Sequence, residues 1–286
     1  MVSKKNMSGN KKILMLFSII FCSIVFSQEY SITYNYTFKK DSTNIQFVEN
    51  EMMRLDINRK GSVFYSYPKF RYDSISIEKN KKRENILEAD KSKISFFVEK
   101  EYPNFNMFYH LSLGRTNYSI SDTTKINWQL ENDQNTIKGF NVQKATTNFG
   151  GRKWIAWYTK DIPIFDGPFK FNGLPGLIVE IEDTKSDHKF EFLAIEKNST
   201  GYSNFYIVNK LKEIKVDRDG FKKAWKEYKK DPAKDMKFTL LNSKLGFKVN
   251  YDGKDYSVSD MIRNAEEIER TKIKTNNNFL ELSLYQ

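Results

Sequence analysis

Two apolar runs, 154–158 and 177–181, are joined by a segment in which glycine and proline set the backbone. Residues 150–183 include Gly150-Gly151, Pro163, Gly167-Pro168 and Gly173-Leu174-Pro175-Gly176. Such punctuation marks a specified turn rather than a loose connection. The first run (WIAWY) is apolar on both faces and predicts a central, two-sided strand. The second predicts the return strand, and 161–172 is a folded excursion between them. Pro175-Gly176 suits the central pair of a type II turn, with glycine at positive φ. Asp166-Gly167-Pro168 marks a second turn.

Upstream, Tyr30–Phe38 alternates aromatic or β-branched residues with small polar ones, the period of a half-buried strand. The pattern continues at 45–58 and, beyond a turn at Lys60-Gly61, at 62–67. An exposed connection is expected around 80–85. Further strands are expected at 94–98, 105–113, 117–120, 126–130 and 137–143, with a polar turn at 131–135 between the last two. Segments 177–181 and 189–195 read as a hairpin around 183–188, and 202–208 as one more strand. Helical spacing emerges late. Asp217 or Asp219 can cap 220–230, where Phe221, Trp225 and Tyr228 share a face and Pro232 stops the helix. Ser259 is the expected N-cap of 259–274, which ends at Asn276-Asn277-Asn278. Many strands followed by two short helices predict a β-dominated α+β fold. The expected form is a single curved antiparallel sheet, half-barrel or barrel-like, with one or two C-terminal helices.

The N-terminus reads as a secretory leader. Lys4, Lys5, Lys11 and Lys12 precede an apolar run at 13–26, and Val25-Phe26-Ser27 suits cleavage after Ser27. The expected organisation is therefore a removed segment, 1–27, and one β-rich domain, 28–286. Cys22 is the single cysteine, and bulky Phe21 before it disfavours lipid attachment. The cleaved chain would hold no thiol. No other apolar run approaches membrane-spanning length. The formal charge is +11, and the chain stays basic without the leader lysines. Its charges are interspersed rather than gathered on one aromatic-rich face, so nucleic acid is not an expected partner.

Residues 150–183 also resemble the GLPGLI family of secreted envelope proteins, whose hexapeptide stands at Gly173–Ile178. The resemblance takes in Lys138-Gly139-Phe140, Gln143-Lys144-Ala145, Arg152, Trp154, Ala156-Trp157-Tyr158-Thr159, Ile162-Pro163-Ile164, Gly167-Pro168 and Phe171. Downstream it includes 180–183, Phe190, Phe192 and the Asn276-Asn277-Asn278 tail. Two departures stand out. Val142 replaces a cysteine frequent in the family, and Phe279-Leu280 follow Asn278 where Pro-Ile is usual. The resemblance implies export, a β-rich fold and work in a Gram-negative envelope, in the periplasm, at the outer membrane or outside the cell. It supplies no reaction.

The candidate ligand or partner surface is Arg152, Trp154, Trp157, Tyr158, Asp161, Pro163, Asp166, Gly167, Pro168, Gly173, Leu174, Pro175 and Gly176. Trp154 and Trp157 have opposite parity and should face opposite sides. Arg152 should pair with Asp161, Asp166 or Asp183. Glu180 and Glu182 share parity and should face solvent. No nucleophile–base set, phosphate loop or zinc spacing occurs, and His110 and His188 lie in no ligand pattern. No catalytic residue, metal or cofactor is therefore assigned. The leading expectation is a binding or accessory module for an apolar molecule, a peptide or an envelope protein. The alternatives are a hydrolase built on Asp161, Asp166, Glu180 and Asp183, and a structural envelope component.

Overall fold

The computed structural model describes residues 29–86, 88–197, 201–208, 212–242, 249–251 and 254–286. The expected leader, 1–27, lies outside the described residues. The first half supplies β1 (Tyr30–Phe38), β2 (Glu49–Ile57), β3 (Gly61–Ser66), β4 (Phe97–Glu101), β5 (Asn106–Leu113) and β6 (Thr116–Asp122). The second supplies β7 (Gln129–Ile137), β8 (Phe140–Phe149), β9 (Arg152–Thr159), β10 (Leu177–Asp183), β11 (His188–Lys197) and β12 (Glu213–Asp217). These form one 12-stranded sheet in the order β12-β6-β5-β4-β3-β2-β1-β11-β10-β9-β8-β7. Neighbours are antiparallel except β12, which lies parallel to β6. The sheet is not closed: β12 and β7 are its edges. A separate ribbon pairs β13 (Val249–Tyr251) with β14 (Lys254–Tyr256).

The helices are α1 (Tyr67–Lys82), α2 (Gly201–Val208), α3 (Arg218–Lys230), α4 (Lys234–Asn242) and α5 (Val258–Thr275). The β-dominated α+β reading holds, with most helices near the C-terminus. Asp217 caps α3 by accepting from Gly220 N at 2.7 Å, and Phe221 and Trp225 bury one face. In α5 the cap is Ser257, not Ser259, in a reciprocal box with Asp260; this satisfies two otherwise orphaned donors.

Several local expectations are corrected. Segment 67–82 is helix, although no helix was expected before 220. Ser66 caps it and Pro68 stands in its first turn. Segment 202–208 is α2, not a strand. Residues 131–135 run through β7 rather than turning, and the turn falls at Lys138-Gly139. Their polarity reflects an edge strand, most of whose side chains meet water. In β9 the burial alternates, so the strand is not two-sided: Arg152, Trp154, Ala156 and Tyr158 are buried, while Trp157 is half-buried. A bulge at Val179 sets Ile178 opposite Tyr158 and Ile181 opposite Ala156. That breaks the strict alternation expected for this strand.

One face of the sheet, here the front, carries the large core. It includes Tyr34, Leu55, Phe64, Val98, Tyr109, Trp154 and Phe190. On the back face Val63, Tyr65 and Phe97 pack against Phe205 of α2 and Phe70 of α1. The excursion between β9 and β10 enters the front core, where Phe169, Phe171 and Leu174 are buried. Phe169 meets Tyr109 of β5 edge-on at 5.5 Å. Two residues on, Phe171 meets Trp154 of β9 at 4.7 Å. In the strand order β5 and β9 are seven places apart, about 34 Å along a flat sheet. Both reach one two-residue span, so the sheet is rolled around the excursion, which acts as its plug.

Backbone bonds brace the plug. Leu177 N donates to Ile162 O at 3.1 Å, Ile178 N to Asp166 O at 3.2 Å and Gly173 N to Phe165 O at 2.9 Å. The expected type II turn is replaced by a tighter one. Gly176 N donates to Leu174 O at 2.8 Å across Pro175, a three-residue γ-turn. Gly176 has φ +150, and a Cβ there would lie 1.9 Å from Thr159 O. Gly176→Ala should therefore cost on the order of 3 kcal/mol or more. Urea unfolding checks this, and a loss under ~1 kcal/mol would show that the plug tolerates displacement.

Candidate functional site

Buried charge holds the plug in place. Asp166 is the carboxylate at its centre. It accepts from Lys100 Nζ of β4, from Ser62 Oγ at 2.6 Å and from the Tyr102 hydroxyl. Its other neighbour is Gly167 N, at 2.7 Å. Lys100 Nζ also donates to Gly167 O at 2.7 Å. Both side chains are essentially inaccessible, 0% and 1%. Burial pushes the Lys100 ammonium below its ordinary range, and Asp166 works against that shift.

Lys170 anchors the other side of the plug, with a side chain 0% exposed. It donates to Asp122 of β6 at 2.7 Å and to Glu281 of the C-terminal tail at 2.6 Å. Arg218 at the start of α3 binds the same two carboxylates. Burial would raise the Asp122 carboxyl, but Lys170 and the bonds from Thr124 hold it well below the usual carboxylate range. Four charges thus join the plug, β6, α3 and the tail.

The sequence candidates separate into three settings. Arg152 is buried and pairs with Asp183 at 2.9 Å, as one of its expected partners, and also with Asp187 at 3.3 Å. It fixes the tail through Phe279 O at 2.9 Å and Asn278 Oδ1 at 2.5 Å. Trp154 is core, and Trp157 is half-buried on the other side of the strand. Tyr158 is buried, with its hydroxyl donating to Gln143 at 2.8 Å. Asp166, Gly167, Pro168, Leu174 and Gly176 lie inside the plug, whereas Asp161, Pro163, Gly173 and Pro175 are on its outer surface. Glu180 and Glu182 are half-buried rather than solvent-facing. Glu180 pairs with Lys189 at 3.2 Å, and burial raises the Glu182 carboxyl.

Only one of these candidates borders an apolar cleft. Pro163, with Ile164 and Phe165, forms a wall of a cleft of about 330 Å³. The facing residues are Tyr30 and Ile57 at the ends of β1 and β2 and the Tyr102-Pro103…Phe105 connection between β4 and β5. Phe165 is 47% exposed. Tyr102 links the cleft to the charge network, since its hydroxyl donates to Asp166. Sequence reasoning named Pro163 but missed Tyr30, Ile57, Tyr102, Phe105 and Phe165. An aromatic in the middle of a braced excursion was the available signal for Phe165; the others meet it only through the rolled sheet.

His188 is a further buried ionisable group. Its Nδ1 is 2.8 Å from the Tyr36 hydroxyl. Burial lowers its pKa well below the ordinary histidine value, with a further push from Arg152, while the Asn278 backbone acts in the opposite direction. Among the described residues no cluster of three or more His, Cys, Asp or Glu side chains could hold a metal. No described helix is long and apolar enough to cross a membrane.

A family model described as a protein of unknown function (Porph_ging) matches residues 150–180. No curated protein sequence matches the chain. Among solved structures the chain is similar to PNGF-II in two crystal forms. One gives 18% identity and a TM-score of 0.48 over 69% of this chain and 33% of that one. The other gives 19% identity and a TM-score of 0.45 over 67% and 31%. The chain thus spans about a third of the PNGF-II chains it matches. It is also similar to a DUF1329 family protein from Desulfovibrio piger, at 8% identity and a TM-score of 0.30 over 68% of this chain and 95% of that one.

Lys100→Met should cost about 3–5 kcal/mol, because it strands a buried carboxylate. Lys100→Met/Asp166→Asn should recover part of that loss, and strictly additive urea-melt energies would contradict the coupling. Protonation of His188 should also oppose folding. Its folded pKa is depressed, so the unfolded chain binds more protons and stability falls as pH drops below about 6.5. His188→Phe should flatten the pH 7 to 5 limb of the thermal melting profile, and an unchanged limb would assign the titration elsewhere.

Proposed function

We propose that this chain is a non-enzymatic binding or accessory module of the GLPGLI type, exported to the periplasm or outer-membrane face of a Gram-negative envelope. The leader pattern and the hexapeptide support the location. The apolar cleft beside the plug supports the binding role. Its volume is at the lower end of small-molecule sites, and its walls are mostly aromatic, aliphatic and proline side chains, with Asn58 and Arg59 as the polar lining residues. Its ligand is an apolar small molecule or an apolar peptide side chain. The observation behind this reading is that Pro163–Ile164–Phe165 stand on a loop pinned by buried ion pairs, so the cleft wall is preformed. Preformed walls reduce the ordering cost of binding.

The carboxylates of the hydrolase alternative do not share a site. Asp161 is exposed, Asp166 is saturated inside the plug, Asp183 is held by Arg152 and Glu180 by Lys189. A general acid and base would need to converge on one concave surface.

The neutral fluorophore N-phenyl-1-naphthylamine tests the cleft. The chain should bind it saturably, and Phe165→Ala should weaken binding by roughly tenfold, the value of an aromatic wall. Absence of saturable binding, or full affinity in the Phe165→Ala variant, would count against the proposal.

A further inference from the structure

A second cavity, of about 360 Å³, lies between the sheet and the C-terminal layer. It shares no lining residue with the cleft beside the plug. Tyr36, Phe38 and Tyr109 line it from the sheet, and Trp225, Phe279 and Tyr285 from the opposite layer. The rings on each side are already ordered by stacking: Tyr36 lies 4.6 Å from Phe38, and Phe279 lies 3.6 Å from Tyr285. His188 is part of the lining and is held by the Tyr36 hydroxyl. Both Tyr36 and Tyr109 are raised well above the ordinary phenol range, burial being the main cause. The interior therefore presents neutral aromatic surface and no charged acid–base pair.

Charge gathers at the exposed end instead. Lys40, Lys93 and Lys272 line the cavity, with side chains 34%, 42% and 63% exposed. Glu269 is the acidic lining residue. It accepts from Tyr228 at 2.6 Å and from Lys272 at 2.7 Å. Lys40 and Lys93 both lean on the single Glu49, at 3.4 and 4.0 Å. Glu51, which is buried, accepts from Lys93 N at 3.3 Å, so the lysines are the more exposed charges at this end of the cavity. α5, which contributes Glu269, Lys272 and Ile273, has no buried residue, so the outer wall is lightly attached.

We propose that this interlayer cavity is a second binding site, selective for a small planar aromatic anion of the aryl-carboxylate class. The ring system packs among the aromatic walls, and the carboxylate faces Lys40, Lys93 and Lys272. Aromatic walls with preferred ring geometry favour a flat body over a flexible chain, and the exposed lysine ammonium groups at the mouth favour an anion over a neutral analogue.

Calorimetric titration of the whole chain with naphthalene-2-carboxylate and with neutral naphthalene-2-methanol tests this at low salt. The carboxylate should bind saturably and about fivefold more tightly, with the preference shrinking as salt rises. Ile273→Trp, which fills the cavity from α5, should weaken both by about tenfold or more. Lys93→Glu/Lys272→Glu changes only exposed side chains, so it keeps the fold; it should retain the alcohol affinity and lose the carboxylate preference. Equal affinity for the two compounds, or no saturable binding, would overturn the proposal. So would binding that Phe165→Ala removes and Ile273→Trp leaves intact, since that would place the ligand in the other cleft.

Discussion

Two ammonium groups, Lys100 and Lys170, sit in the interior with no access to solvent, and the architecture is arranged around keeping them neutralised. An isolated buried charge would cost far more than a domain's net stability, so each must find carboxylates and oriented carbonyls. Lys100 comes from β4 and Lys170 from the plug itself. Their partners lie on the plug, β6 and the tail. The plug therefore cannot slide along the sheet: any displacement would part an ion pair in a low-dielectric setting. The curl of the sheet follows, because β3, β4 and β6 must reach the same short segment that β9 and β10 enclose in sequence. Hydrophobic burial of Phe169 and Phe171 drives that approach, while the charges fix its register.

Much of the sheet was legible because its strands bury one face. Tyr30–Phe38 alternates cleanly, and β1 has those bounds. The same logic failed where burial is not one-sided. β7 reads as a turn because an edge strand can be polar on both sides. α1 gives no helix reading, with only Tyr67 taken into the preceding strand, because it buries no residue fully and so shows no clear apolar stripe. Its Ser66 cap and Pro68 were nonetheless present as start signals. The candidate stretch was legible as architecture: dense glycine and proline did mark a shaped excursion. Its partners were not. Nothing local ties Lys100 to Asp166 or Glu281 to Lys170, since those pairs are 66 and 111 residues apart. Pairing at that distance is a property of topology, which periodicity does not encode.

The two clefts differ in the way the fold makes them. The one beside the plug is bordered by short connections at strand ends, where braced backbone gives rigid apolar walls. The interlayer cavity separates a rigid sheet from helices and a tail that are attached by fewer side chains. Arg152 is one tie between them, since it grips Phe279 O and Asn278 from the start of β9. An arginine on the motif segment thus acts on the second cavity by holding one of its walls, without lining it.

The tail contact at Glu281 has a consequence for how the molecule comes together. Lys170 and Arg218 present two cations to Asp122, and the second carboxylate, Glu281, comes from a segment 111 residues beyond Lys170. Without the tail, Asp122 alone would face both cations, so this interior site would carry an excess of positive charge and Lys170 would keep only one of its two carboxylates. The segment carrying Glu281 is therefore a counter-ion supplied by the polypeptide itself. The core reaches neutrality as a unit, with β6, the excursion, α3 and the tail each supplying a charge that the others need.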